Sequence, residues 1–254
     1  MTARDGRRQG EDWAELIVHV AALGLGVPTA QVRLARRAGD DGSLSRDAKP
    51  AGCTEAQHGS VLLQGVVEDF DRRSRERRGH SLANVERVLD RVEPPAESDL
   101  DHLGAFGVFC GYLVLDALVA GRDRHSDNWS ITVTPEGARR LMASYDHATS
   151  LGFNLTDDRR ARMLANDVEL ERWVVRGTAW RFEGGRDVTL VEWARRGAAM
   201  AGPSVRSHWR NALVQLDLAL VDTVAADIDA VSGVTRTFVL SVLERNRRRL
   251  LDEL

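Results

Sequence analysis

The stretch GAFGVFCGYLVLDALVAG at 104–121 constrains this chain more than any other, because it is apolar on every side and runs directly into the charged loop RDRHSDN. It is nearly long enough to cross a bilayer, which takes about 20 apolar residues. Asp116 interrupts it, however, and the polar loop follows at once, so a buried central helix is the better reading. A chain of 254 residues with 43% hydrophobic content can surround such a helix with a core of its own and needs no disulfide staples. Cys53 and Cys110 show neither metal nor redox spacing, and reduced thiols in a cytoplasmic protein are expected. The opening MTARDGRRQGEDWAE lacks the long apolar core of a secretory signal. A net charge of −3, from 35 basic and 38 acidic residues, gives no bulk attraction to nucleic acid or an anionic membrane.

The loop after the apolar stretch carries the chemistry. Asp123 and Asn128 lie in DRHSDN, and WSITV at 129–133 is β-prone and ends at the turn formers Thr134, Pro135, Glu136 and Gly137. Arg140 to Tyr145 is expected to return antiparallel, which would set Asp146 of SYDHATS beside Asn128. Two carboxylates and a carboxamide gathered by a hairpin suit phosphoryl transfer. That reaction needs a carboxylate to orient or deprotonate the attacking hydroxyl, and hard oxygen ligands to hold magnesium against a triphosphate. Asp123 suits the first role, Asn128 and Asp146 the second. His125 is expected to shape the loop by hydrogen bonds, Arg124 to touch phosphate or a nearby carbonyl or carboxylate, and Asp127 to be solvated.

On these residues the chain resembles the HipA-like kinases, which share a kinase-like fold and a D-R-H-x-x-N catalytic loop with the phosphoinositide kinases. The likeness extends to GEDWAELIVHVAALGLGVPTAQVRLA at 10–35, similar to the family's helix and strand after its ATP-binding lysine. VLERNRRRLLDEL at 242–254 resembles the family's terminal helix. The resemblance implies an α+β, protein-kinase-like fold: a truncated small lobe and hinge in 1–58, and a mostly helical large lobe in 59–254 carrying the catalytic loop and metal-binding hairpin. It implies ATP-dependent transfer to Ser or Thr of a protein. Asp123 is then the catalytic aspartate, with His125 and Asn128 in the same catalytic loop. Asn128 and Asp146 are the metal ligands, and Asp146 is the counterpart of the aspartate that opens D-F-G. Glu15 is the helix glutamate that pairs with the lysine gripping the nucleotide. ATP and Mg2+ are the implied cofactors. A protein substrate and, as for some relatives, an antitoxin are the implied partners, with no direct nucleic-acid contact and no membrane. The order D-R-H, against H-R-D in ordinary protein kinases, and His147 at the D-F-G phenylalanine position remove any expectation of the common activation switch.

The departures from the family are equally specific. No glycine-rich phosphate loop or strand lysine precedes the first helix, and the only lysine, Lys49, falls near the expected hinge. Without that partner, Glu15 is expected to be a solvated helical glutamate. Three explanations fit: a start codon placed too far downstream, a partner chain or another arginine supplying the charge, or a degenerate kinase, inactive as this truncated chain. A pseudokinase or a nucleotide- or protein-binding module is therefore one alternative. A metal-dependent hydrolase is another, since Asp123, His125, Asp127, Asp146 and His147 offer carboxylate and imidazole, although no third histidine sits nearby at ligand spacing.

Elsewhere, residues 12–25 read as a helix, with Trp13, Leu16, Ile17, Val20 and Leu23 at helical spacing. Gln31 to Ala35 reads as a strand, GDDGS at 39–43 as a turn, SLSRD as the next strand, and about 46–60 as a hinge-like bridge. DFDRRSRERRGHS at 69–81 reads as a solvated helix end in preference to a basic groove, because acidic residues interleave. Thr156 is expected to cap a helix, and Trp173, Trp180, Trp193 and Trp209 to pack the large lobe in preference to stacking on bases. One helix is expected around 205–223, and a last one with Val239, Val242, Leu243 and Leu250 on one face.

Overall fold

The computed structural model describes residues 9–96 and 98–254; the opening MTARDGRR, read above for a leader, lies outside them. The first helix, α1 (Glu11–Leu25), closes on Gly26 in the left-handed conformation (φ 73°), whose N–H bonds the Ala22 and Leu23 carbonyls. A hairpin of β1 (Val32–Arg37) and β2 (Asp40–Ser45) follows, with Arg37 opposite Asp40. Its two-residue turn is Ala38–Gly39, both at positive φ (53° and 92°), the conformation that lets a tight hairpin follow the strand twist. The turn expected at GDDGS is therefore one step early, and most of that segment belongs to β2.

β3 (Glu55–His58) lies within the expected bridge and pairs antiparallel with β4 (Ser130–Val133), which pairs in turn with β5 (Arg139–Leu141). α2 (Gly59–Gln64) leaves β3 directly. Residues 65–81 then run as successive turns and not as the expected helix end, up to α3 (Leu82–Leu89), which Ser81 caps from its side chain.

α4 (Gly104–Leu118) is the centre of the molecule. All of its residues from Ala105 to Leu118 are buried, by α7 (Leu190–Ala201), α10 (Gly233–Glu253), α8 (Pro203–Gln215), α3 and α1. It is the one helix among the described residues long and apolar enough to cross a membrane, and protein covers it instead. Each buried Leu or Phe there contributes roughly 1.5–3 kcal/mol. Gly111 leaves room for the Trp209 ring, whose Nε1–H donates to the Gly107 carbonyl at 2.9 Å. Trp193 is likewise buried, and Trp180 is half-buried with arginines on its ring.

Thr156 caps α5 (Asp157–Leu164) as expected, and Asn166 caps α6 (Asp167–Val175). The helix expected at 205–223 divides into α8 and α9 (Ala219–Ala226), because the Asp217 carboxylate accepts the N–H of Ala219 at 2.8 Å and restarts the chain there. Val239, Val242, Leu243 and Leu250 of α10 are all fully buried.

Candidate active site

The site grows from the C-terminal end of α4. Asp116, the one charge in that helix, meets Arg124 in the following loop through paired hydrogen bonds, Nε to Oδ2 at 2.9 Å and Nη2 to Oδ1 at 2.8 Å. Both side chains are almost fully buried, at 7% and 4% exposure. Burial opposes the Arg124 cation, but the Asp116 carboxylate outweighs it and holds the guanidinium above its ordinary value. The third donor, Nη1, bonds the Asn128 carbonyl at 2.8 Å. Arg124 is thus a strut of the loop, which settles the two readings of that residue.

The strut shapes the rest of DRHSDN. The side-chain amide of Asn128 donates to the Asp123 carbonyl at 2.8 Å, leaving the amide oxygen as its other pole. The Asp127 N–H donates to His125 Nδ1 at 3.1 Å, so His125 braces the loop. Burial lowers the His125 pKa, with Asp123 acting the other way. Asp127 is partly exposed but not free: Ser60 donates to one oxygen, and Arg72 Nη1 reaches the other at 2.9 Å. The Tyr145 hydroxyl donates to the Asp127 carbonyl at 2.8 Å, and this ties the return strand to the loop.

Register brings the second half of the site home. Ile131 faces Leu141, the Met142 N–H bonds the Ser130 carbonyl at 2.9 Å, and Asp146 follows in the left-handed conformation (φ 61°). An aspartate tolerates that conformation better than most residues, and its presence marks an imposed geometry. Asp123 and Asp146 line one small cavity with Asp116, Arg124, Thr149 and Ser150, about 10 Å³ in volume and so the size of a water molecule or an ion.

Glu15 is placed differently from expectation. It is buried, and the backbone N–H groups of His147 and Ala148 face its carboxylate, so α1 packs on the residues just after Asp146. Burial raises its pKa, those N–H groups pull it back, and the nearby Asp146 carboxylate raises it further. Lys49 lines a separate cleft of about 600 Å³ with His19, Arg33 and Arg140, which neither Asp123 nor Asp146 enters.

Arg181 is a site residue that sequence reasoning missed. Its Nε and Nη2 both meet Asp123 Oδ1, at 2.6 and 2.5 Å. That oxygen is occupied, and Oδ2 has no ion pair among the described residues. Nothing local in the sequence marks Arg181, which lies in an irregular segment between α6 and α7. Asp116 did carry a signal, because a lone charge inside an apolar helix demands an opposite partner nearby.

Among the described residues no group of three or more His, Cys, Asp or Glu is arranged to hold a metal ion. His147 is buried, its pKa driven well below the ordinary imidazole value by burial and then by Arg124, with Nε2 unpartnered. The imidazole and carboxylate cluster that the hydrolase reading needs is therefore not assembled.

Two small antiparallel sheets and a helical body around α4, with a loop and hairpin meeting at its end, make a kinase-like α+β fold. Among solved structures the chain is similar to the Helicobacter pylori proinflammatory kinase CtkA, with a TM-score of 0.71 over 96% of this chain and 79% of that one, at 14% identity. It also matches a chain from the Shewanella oneidensis complex of HipA, HipB and operator DNA, with a TM-score of 0.47 over 94% and 57% of the two chains, at 15% identity. No protein-family model matches the chain, and no curated protein does. At 14% identity the likeness to the first of these structures establishes the fold alone, and it is the kinase-like fold that the sequence resemblance implied.

Proposed function

We propose that the chain is an ATP- and Mg2+-dependent phosphotransferase of the HipA-like type, acting in the cytoplasm on a Ser or Thr hydroxyl of a protein. In this reading residues 1–58 form part of a small lobe with its hinge, and 59–254 form the large lobe. The observation that carries it is the shared cavity of Asp123 and Asp146, residues brought together by the β4–β5 hairpin. Asp123 would orient the acceptor hydroxyl and take its proton on Oδ2. The Asn128 amide oxygen and the Asp146 carboxylate are hard oxygen donors of the kind magnesium takes, and these two side chains would hold it. Magnesium, when bound, neutralises charge on the phosphates. Arg124 keeps Asn128 in register with Asp123, and Glu15 fixes the backbone that presents Asp146.

A second reading, a nucleotide-binding module without turnover, draws on Glu15 meeting backbone where a kinase of this family has a lysine. Calorimetric titration with ATP, with and without Mg2+, followed by transfer from radiolabelled ATP, separates the two. Asp123→Asn should abolish transfer while the chain stays folded, with at most a small fall in melting temperature, because shape is kept and the Arg181 pair it weakens is partly exposed. Asp146→Asn should weaken Mg2+-dependent nucleotide binding. Full transfer by either variant removes that residue from its role; tight binding with no transfer by the wild type selects the second reading.

A further inference from the structure

The arginine run at 69–81, expected to be a solvated helix end, instead lines a cleft of about 430 Å³ beside the catalytic loop. Arg72, Arg73, Arg77 and Arg181 face it together with His125 and Asp127. Resting on the phosphotransferase reading, we propose that this cleft selects the acceptor: it takes an anionic side chain, phosphorylated or acidic, of the protein segment that presents its hydroxyl to Asp123.

Charge makes the first argument. Four guanidinium groups meet two carboxylates, Asp127 paired with Arg72 and Asp123 paired with Arg181. Among the described residues Arg73 and Arg77 have no ion pair. Arg77 Nε, moreover, is buried without any hydrogen-bond partner, which a folded chain rarely leaves unmet. Arg77 Nη1 already donates to the Arg72 carbonyl at 3.1 Å, so Nη2 of Arg77 and the Arg73 guanidinium are what an incoming anion meets, and arginine is the residue suited to phosphate or carboxylate.

Preorganisation makes the second. The run is stitched to the segment carrying Arg181: Gly79 N–H donates to Glu183 at 2.8 Å, His80 Nδ1–H to the Arg181 carbonyl at 2.9 Å, and Glu183 N–H to the His80 carbonyl at 2.9 Å. The arginines therefore stand on a fixed frame, and little ordering is lost when an anion arrives.

The cleft fits a protein segment better than a nucleic acid. The Trp180 ring, the aromatic side chain beside it, already has Arg181 at 3.9 Å and Arg77 at 4.9 Å from its centroid, so no open platform is offered to a base. The net charge of −3 adds no long-range pull on a polyanion. Placement completes the argument, because Arg181 belongs both to the cleft and to Asp123. An acceptor anion docks next to the carboxylate that its hydroxyl must reach, and competes for the guanidinium that occupies Oδ1.

The test uses three labelled peptides identical except for residues flanking one serine: glutamate, phosphoserine or lysine. Binding is read by fluorescence anisotropy, without ATP. The expected result is that the glutamate or phosphoserine peptide binds at least tenfold tighter than the lysine peptide, their difference showing which anion fits. Arg73→Glu should erase or reverse the preference, and Arg73→Lys should retain most of it. Arg73 is exposed and free of ion pairs, and a melting curve confirms that each variant folds. Equal binding of all three peptides, a preference that survives Arg73→Glu, or tighter binding of a single-stranded oligonucleotide of equal charge overturns the proposal. Transfer from ATP and Mg2+ to the same peptides is scored separately. Selective binding without transfer keeps the cleft and sinks the kinase reading, whereas transfer with no preference does the reverse.

Discussion

Asp116→Asn tests the buried strut with almost no change of shape. It leaves the Arg124 guanidinium, 4% exposed, with its charge unpaired and two of its three bonds facing a neutral amide that can accept only one of them. Breaking a buried ion pair from one side costs about 3–5 kcal/mol, because desolvation of the remaining charge is no longer offset. A typical domain has only about 5–15 kcal/mol in total. For a chain of this size each kcal/mol moves the melting temperature by about 2–4 °C, so a fall of about 6–20 °C is expected. Circular dichroism melts and urea titration measure it. Replacing both partners with apolar residues of similar volume, as in Asp116→Leu with Arg124→Met, should recover most of the loss, because no charge is then stranded. A single variant melting within about 2 °C of wild type would refute the claim that the loop hangs on this pair.

Other expectations follow from burial and geometry. His80 accepts the Trp129 indole N–H at 3.2 Å and is buried, and burial lowers its pKa from 6.5 to about 4. Between those values the unfolded chain binds the extra proton, so stability is full above pH 6.5 and falls as pH drops towards 4, by about 3 kcal/mol in all; His80→Gln should remove this slope in urea midpoints measured across that range. The Glu15 carboxyl is raised above its ordinary 4.5, so the folded chain binds the extra proton and stability declines as pH rises above 4.5. Glu15→Gln should therefore gain on wild type between pH 4 and pH 7, and a constant difference would remove Glu15 as the cause. Gly111→Ala places a Cβ 2.2 Å from the Trp209 ring. It should destabilise by about 1–3 kcal/mol by overpacking, against the roughly 1 kcal/mol gain that helix propensity alone gives alanine, and a thermal melt decides the sign.

What could be read in the sequence was local. α1, α4 and α10 announce themselves by apolar spacing, Thr156 by its place before a helix, and the β4–β5 hairpin by β-prone residues around a Pro–Glu–Gly turn. The hairpin predicts Asp146 beside Asn128; what the structure gathers in one cavity is Asp146 with Asp123, and Asn128 does not line it. What stayed hidden depended on partners far along the chain. EAQH at 55–58 has little strand character of its own and becomes β3 because β4 offers it a free edge. The arginines at 69–81 looked like solvated surface because nothing nearby shows that Asp127 and the segment around Trp180 fold against them. Arg181 reaches Asp123 across 58 positions, a separation that no periodicity reports. Glu15 was misjudged in the same way, since its partners are peptide N–H groups, which every residue has.

The packing of Glu15 on the peptides after Asp146 makes α1 a lever. The helix packs on β1 and β2, while Glu15 in its first turns faces the peptides just after the aspartate that would face the nucleotide. Sliding or tilting this rod would pull the buried carboxylate from the peptides it faces or drag the left-handed residue with it, so α1 and Asp146 share one mechanical fate.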